Sequence, residues 1–118
     1  MAIYTPGPFR LVTVNNAPER AKYVIGRVID GLKDRYEIEY VGNCDGPHEV
    51  ETKVMSLQPD ILCCASMWTA EESEGMIETA RGIRPNIKTH AIPYGLQVAK
   101  GPEAIVEHLK DQIPRLLG

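Results

Sequence analysis

The segment Ser66-Met67-Trp68 is the first place where side chains that can do chemistry follow a strongly apolar run, ILCCA over 61–65. A serine hydroxyl becomes a nucleophile when a base activates it, and no base stands beside Ser66 in the sequence. Trp68 can stack on a planar ligand or anchor a protein partner, and it can equally cover the end of the next helix. The segment therefore favours binding over catalysis, and both interpretations of Trp68 stay open.

A second set of polar side chains lies in VNNAPER, ahead of a helical pattern. Asn15, Asn16 and Arg20 could bind a carboxylate or a polar amide edge, because the N-terminus of a helix favours negative groups. The stretch lacks the glycines of a dinucleotide motif and the Gly-Lys-Ser/Thr of a P-loop. The plainer alternative is that Asn16 caps the helix and Arg20 is solvated. Tyr94 and Lys100 border the same expected crevice from a third loop.

The cysteines and histidines do not form a recognisable reactive or metal-binding set. Cys63 and Cys64 are adjacent inside the apolar run and are predicted to be buried core residues. Cys44 stands beside Asp45, whose charge disfavours a thiolate. No metal-ligand spacing stands out among the histidines, which are His48, His90 and His108. The sequence therefore predicts no catalytic residue and no metal ligand.

The overall composition indicates one ordinary globular domain. A chain of 118 residues can bury a core without disulfides, and the odd number of cysteines, three, is typical of a reducing compartment, so we expect a cytoplasmic protein. The net charge of -3 gives no general field for collecting phosphates, which disfavours nucleic acid as a partner. No apolar run approaches the length of a membrane span. Residues 1–8 are predicted to be an irregular lead-in to a single domain over 1–118.

Strand and helix patterns alternate along the chain. The strand predictions cover 9–14, 36–41, 61–65 and 87–92. The helix predictions begin near Pro18, near Val50, after the capping box of Thr69 and Glu72, and near Pro102. This order predicts a flavodoxin-like three-layer α/β/α fold with a parallel sheet in the order 2-1-3-4, and a fifth strand stays open around Leu96–Lys100. In such a sheet the loops after the first, third and fourth strands share one edge.

The stretches LVTVNNAPER, YEIEYVGNCDG, LQPDILCCASM and MIETARGIRPNIKTHAI together resemble a response-regulator receiver domain across most of the chain. Receivers carry an acidic pair after strand 1, a phosphate-accepting Asp after strand 3, a Ser or Thr after strand 4 and a Lys after strand 5. On that pattern the acidic pair falls on Asn15 and Asn16, the Asp on Ala65 and the Ser or Thr near Pro93, while Lys100 matches. The resemblance therefore implies a pseudo-receiver that lacks both Mg²⁺ ligands and a phosphate acceptor.

Two other families resemble parts of the chain. PHEV and PDILCCASM are similar to cobalamin-binding domains, but the DxHxxG motif is absent after strand 1, so the resemblance leaves only a corrinoid site without a His ligand. IPYGLQVAKGPEAIVEHL resembles the last strand, loop and helix of IIB phosphocarriers of the cellobiose and lactose type. Their phosphorylated Cys would fall near Asn15, which cannot carry a phosphoryl group in that way.

We expect a non-catalytic receiver-like binding or signalling domain that acts through protein or small-ligand contacts without phosphorylation. The residues predicted to line its site are Asn15, Asn16, Arg20, Ser66, Trp68 and Tyr94. The alternative is a cobalamin-binding protein, or a small enzyme that uses the same crevice. A homodimer through the second strand or the last helix is compatible with either role.

Overall fold

The structure is a computed structural model and describes residues 6–118. Its four strands are β1 (Phe9–Val14), β2 (Ile38–Cys44), β3 (Ile61–Cys64) and β4 (Lys88–Ala91). Its α-helices are α1 (Pro18–Leu32), α2 (Val50–Leu57), α3 (Ala70–Ile83), α4 (Leu96–Lys100) and α5 (Pro102–Leu117), and a short 3-10 turn covers Pro47–Glu49. Residues 6–8 are irregular, as expected, and the rest of the predicted lead-in lies outside the described residues.

The four strands form one parallel sheet in the order β2-β1-β3-β4, which confirms the predicted topology. Val14 at the end of β1 pairs with Cys44 on one side and with Cys64 on the other, and Cys64 pairs with Ala91. Parallel strands place their carboxyl ends at one edge, so the segments after β1, β3 and β4 meet there.

Helices cover both faces of the sheet, and this explains the unbroken apolar run in β3. Ile61 and Cys63 pack into a core with α1 and α5, whereas Leu62 and Cys64 pack into a second core with α2 and α3. Successive side chains of a strand point to opposite faces, so a central strand must be apolar at every position. None of the helices within residues 6–118 is long and apolar enough to span a membrane.

The predicted helix starts are confirmed at α3 and corrected at α1. The Thr69 hydroxyl accepts from the Glu72 N–H at 3.1 Å, and the Glu72 carboxylate accepts from the Thr69 N–H at 2.9 Å, which completes the capping box. Helix α1 begins with Pro18, but its N-cap residue is Ala17, without a side-chain cap. The prediction that Asn16 caps this helix is wrong, because Asn15 makes the side-chain hydrogen bond that turns the chain there.

Two segments differ from the sequence prediction. β2 covers Ile38–Cys44 instead of 36–41, because Gly42-Asn43-Cys44, a loop by composition, pairs with the end of β1 beyond an irregularity between Leu11 and Val12. The segment left open as a fifth strand, Leu96–Lys100, is the short helix α4. Gly95 precedes it with φ 83°, a conformation that favours glycine.

Candidate functional site

A small pocket opens at the carboxyl edge of the sheet, between the ends of β1 and β3 and beneath helices α1 and α5. We call it the edge pocket. It is lined by Thr13, Asn15, Arg20, Ala21, Val24, Ile25, Cys63, Ala65, Ser66, Met67, Ile92, Gln97, Ile105 and Leu109. The space open to water-sized groups is about 30 Å³, enough for roughly two or three water molecules. The predicted crevice therefore exists, but it is narrow.

Asn15 is the central polar side chain of the edge pocket. It is 8% exposed, and its Oδ1 accepts from the Ala17 N–H at 2.7 Å. The Asn15 carbonyl accepts from Asn43 Nδ2 at 3.0 Å, and the Thr13 hydroxyl donates to Asn43 Oδ1 at 2.7 Å. This network joins the ends of β1 and β2 and fixes the Asn15 side chain before any ligand arrives.

Ser66 connects the loop after β3 to the segment that begins α4. It is 5% exposed, its Oγ accepts from the Gln97 N–H at 3.2 Å, and its carbonyl accepts from the Gly95 N–H at 2.9 Å. These bonds place the start of α4 against the end of β3. Gln97 thereby enters the pocket lining, a position that sequence reasoning did not find because the segment had no recognised helix signal.

Arg20 and Asn16 lie at the entrance of the pocket. Arg20 is exposed and lines the pocket from the first turn of α1. Asn16 is exposed too, and its backbone N–H donates to the Met67 sulfur at 3.3 Å. The structure therefore brings Asn15, Arg20 and Ser66 together in the lining, while Asn16 stays at the rim.

Trp68 and Tyr94 lie outside the pocket lining. The Trp68 indole N–H donates to the Val14 carbonyl at 2.8 Å, and its ring packs half-buried against the core of α2 and α3. This placement favours the interpretation in which Trp68 packs against the following helix over one in which the indole faces the pocket. Tyr94 is 70% exposed on the loop before α4, where its ring is open to a partner.

The acidic positions of a receiver hold neutral residues at this edge. Ala65 follows β3 and is held by its N–H, which donates to the Val14 carbonyl at 3.0 Å. Asp45 follows β2 at the same edge, but it is exposed and accepts from Asn43 Nδ2 at 3.2 Å. Within residues 6–118, no group of three or more His, Cys, Asp and Glu side chains could hold a metal ion.

The three cysteines are free and buried, which was predicted for Cys63 and Cys64, whereas Cys44 was expected in a loop. Burial raises the pKa of the Cys44 thiol to about 11 and the pKa values of the Cys63 and Cys64 thiols to about 12. Asp45 adds to the effect at Cys44, although burial is the larger cause. The thiols are therefore uncharged and poor nucleophiles near neutral pH.

His90 on β4 and His108 on α5 form a pair that the sequence did not reveal. Their Nε2 atoms are 2.7 Å apart, although the two residues are separated by 18 positions. Side chains repeat with a different period along a strand and along a helix, so the sequence separation of His90 and His108 does not predict a contact between them. The contact depends on how α5 packs against the sheet. The pair lies on the sheet face that α1 and α5 cover, since His90 pairs with Cys63 in the strand register.

A corrinoid does not fit the edge pocket as it stands. Pockets for ligands of drug size or larger typically enclose about 300–1,000 Å³, and the space here is about 30 Å³. Most of the apolar side chains around it belong to the core of α1 and α5, namely Val24, Ile25, Cys63, Ile92, Ile105 and Leu109. Neither the geometry nor the similar structures described next support the cobalamin alternative.

No protein-family model and no curated protein matches the chain. Solved structures do match it. The response regulator domain of Thermotoga maritima CheB superposes with a TM-score of 0.66 at 11% identity, covering 93% of this chain and 96% of that domain. The REC domain of AraT, a response regulator from Geobacillus stearothermophilus, gives 0.59 at 11% identity, covering 95% and 100%.

A third similar structure is the non-phosphorylated receiver domain of the stress response regulator RcsB from Escherichia coli. It superposes with a TM-score of 0.53 at 10% identity, covering 86% of this chain and 76% of that one. At such low sequence identities the superpositions show a shared fold and nothing more. That fold agrees with the four parallel strands and flanking helices described above. The chain has the fold of a response-regulator receiver domain.

Proposed function

We propose that this chain is a non-catalytic signalling domain that binds a protein or a small ligand at the carboxyl edge of its sheet and is not phosphorylated. One observation carries the proposal. The residues that follow β1 and β3 at the edge are Asn15, Asn16 and Ala65, which are neutral. The phosphate acceptor of a receiver is an Asp carboxylate, and Mg²⁺ needs hard oxygen ligands, which amides and a methyl group supply poorly.

Binding is favoured over a purely structural role because the edge keeps both a pocket and exposed apolar surface. Tyr94 is 70% exposed and Val98, on α4, is 93% exposed. Val98 directly follows Gln97, which lines the edge pocket, and Tyr94 precedes Gln97 by three residues in the chain. Apolar side chains that are exposed next to a pocket are typical of contact sites. The three free cysteines fit a cytoplasmic location, which belongs to the same proposal.

The first experiment tests phosphorylation. The purified protein is incubated with Mg²⁺ and acetyl phosphate beside a receiver that has its acidic residues, and intact masses are compared. We expect a phosphoryl adduct on the control receiver and an unchanged mass for this chain. A hydroxylamine-sensitive phosphoryl adduct on this chain would overturn the proposal.

A second experiment tests binding. Native mass spectrometry of the protein purified from its own cell extract reports bound molecules and the number of copies together. We expect a bound protein, a bound small molecule or a second copy of the chain. A bare monomer whose melting temperature is unaffected by cell extract would contradict the binding role.

A further inference from the structure

The polar part of the edge pocket offers hydrogen-bond donors. The Asn15 Oδ1 accepts from a backbone N–H, which fixes the amide orientation and directs Nδ2 away from that bond. Among residues 6–118, Asn15 Nδ2 has no hydrogen-bond acceptor, although the side chain is only 8% exposed. The Ser66 hydroxyl accepts from Gln97 N and, within the same range, has no acceptor for its own hydrogen. Within the described residues Ser73 Oγ is the enclosed side-chain atom that lacks any partner, so Asn15 Nδ2 reaches solvent at the pocket, where water or a ligand acceptor can bind it.

The charge around the pocket has one sign. Arg20 lines the entrance, and within the described part of the chain no Asp or Glu lines the pocket. The structure gives Arg20 no salt bridge within the described part of the chain, in contrast to Arg27, which pairs with Glu103 at 2.7 Å. A guanidinium beside neutral donors attracts an anion, and hydrogen bonds to a charged acceptor are roughly twice as strong as neutral ones.

The inner part of the pocket is apolar and small. Val24 and Ile25 of α1 and Ile105 and Leu109 of α5 line it, and each is at most 5% exposed. The free space of about 30 Å³ has room for roughly two or three water-sized groups. Such a space accepts a short alkyl chain and excludes a ring system or a nucleotide.

We infer that the edge pocket binds a short-chain monocarboxylate of roughly two to four carbons. Its carboxylate accepts hydrogen bonds from Asn15 Nδ2 and the Ser66 hydroxyl and faces the Arg20 guanidinium. Its alkyl chain lies against Val24 and Leu109. This inference rests on the proposed binding function and names the class of ligand for it.

The test is a titration followed by ¹H–¹⁵N NMR, with acetate, propionate, butyrate, propionamide and inorganic phosphate as separate probes. We expect saturable shifts of the Asn15 side-chain amide with the carboxylates. Propionate should bind about fourfold more tightly than acetate, because one further methylene leaves water. Propionamide has the same shape without the charge and should bind at least about tenfold more weakly.

Two variants with matched controls locate the site. Asn15→Asp keeps an oxygen that accepts from the Ala17 N–H, so the turn before α1 remains, but it replaces the donor with a negative charge. We expect at least about a tenfold loss of propionate affinity. Arg20→Gln should also weaken binding, whereas Lys22→Gln changes the net charge equally from an exposed position outside the lining and should not.

Several outcomes would overturn the inference. They are the absence of any saturable shift in the unmodified protein, equal affinity for propionate and propionamide, unchanged binding in Asn15→Asp, and tighter binding of phosphate than of any carboxylate. Circular dichroism of each variant confirms that a loss of binding is not a loss of fold. A failure here would leave the proposed function standing, because the phosphorylation experiment and the native masses do not depend on carboxylate binding.

Discussion

The Nε2 atoms of His90 and His108 lie 2.7 Å apart and connect the edge strand β4 to helix α5. The ring centroids are 4.9 Å apart, well beyond the separation of the two nitrogens, so the rings meet through their Nε2 ends instead of stacking. One ring must donate its Nε2 hydrogen while the other accepts. The hydrogen bond is therefore lost when both rings are protonated.

Acidification is expected to destabilise the protein through this pair. Burial lowers the pKa of His90, and His108 lowers it further. Burial also lowers the pKa of His108, while Asp111 opposes that shift. Since both folded-state pKa values lie below the ordinary value of 6.5, the stabilisation is present above pH 6.5 and is lost as the pH falls through the folded values. The urea concentration at the midpoint of unfolding should therefore decrease as the pH is lowered from about 8 to about 5.

The matched control for this prediction is the third histidine. The double variant His90→Gln/His108→Gln removes both titrating rings and should show a flatter decrease of the urea midpoint with acid. His48 is exposed, and His48→Gln should keep the pH profile of the unmodified protein. An unchanged slope in the double variant would show that other groups cause the acid sensitivity.

The fold was predictable because its signals are local. The apolar run of β3, the stripe of α1 and the capping box of Thr69 and Glu72 each follow from residue order alone, and the structure confirms all three. The end of β2 was not predictable. Gly42 and Asn43 favour a loop by composition, but pairing with β1 and the burial of Cys44 outweigh that preference.

The site was predictable only in part. Asn15, Arg20 and Ser66 each follow a strand end or begin a helix, and the structure places all three in the lining of the edge pocket; their role in binding stays a prediction. Gln97 was missed because it depends on a backbone hydrogen bond to Ser66, which no sequence pattern encodes. Trp68 shows the limit of inference from residue type, since its indole N–H bonds to the protein backbone instead of facing the pocket.

Trp68→Phe should destabilise the protein modestly. The substitution keeps an aromatic ring against the core of α2 and α3 but removes the indole N–H that donates to the Val14 carbonyl. That carbonyl also accepts from the Ala65 N–H and so keeps a partner, which limits the loss of unfolding free energy to about 1 kcal/mol. Urea unfolding followed by circular dichroism measures the change. The control is Tyr94→Phe, at a 70% exposed position, which should change the free energy of unfolding by less than about 0.5 kcal/mol. Equal stability of the two variants would show that the indole hydrogen bond to Val14 does not stabilise the protein.

The cysteines should resist alkylation in the folded protein. All three are buried, and burial raises their pKa values to about 11 for Cys44 and about 12 for Cys63 and Cys64. Iodoacetamide reacts with the thiolate, so at about pH 8 the native protein should keep its mass. The same protein in urea should gain three labels. One label on the native protein would show that a cysteine becomes accessible, and Cys44, the least shifted, is the expected position.

Ser73→Ala should stabilise the protein. Ser73 is 2% exposed in α3, and its hydroxyl has no hydrogen-bond partner among residues 6–118 that meets ordinary geometry. The Ser73 hydroxyl does lower the pKa of the neighbouring Cys64 thiol. A thiol is a weak hydrogen-bond partner, however, so this contact compensates little of the free energy lost when the hydroxyl leaves water. Burying an unpaired hydroxyl costs about 1–3 kcal/mol, and alanine is also the better helix former.

The control for Ser73→Ala is the other buried serine. Ser66 is 5% exposed, but its hydroxyl accepts from the Gln97 N–H, so Ser66→Ala removes a bond that exists and leaves a donor unpaired. We expect Ser73→Ala to raise the free energy of unfolding by about 1 kcal/mol and Ser66→Ala to lower it by a similar amount. Both are read from urea unfolding curves. Ser73 lies in a helix and Ser66 does not, and the helix preference of alanine accounts for at most about 0.7 kcal/mol of the difference between the variants. A difference of about 2 kcal/mol would therefore assign the remainder to the hydrogen bond. A loss of stability in Ser73→Ala would mean that the thiol of Cys64 is an adequate partner.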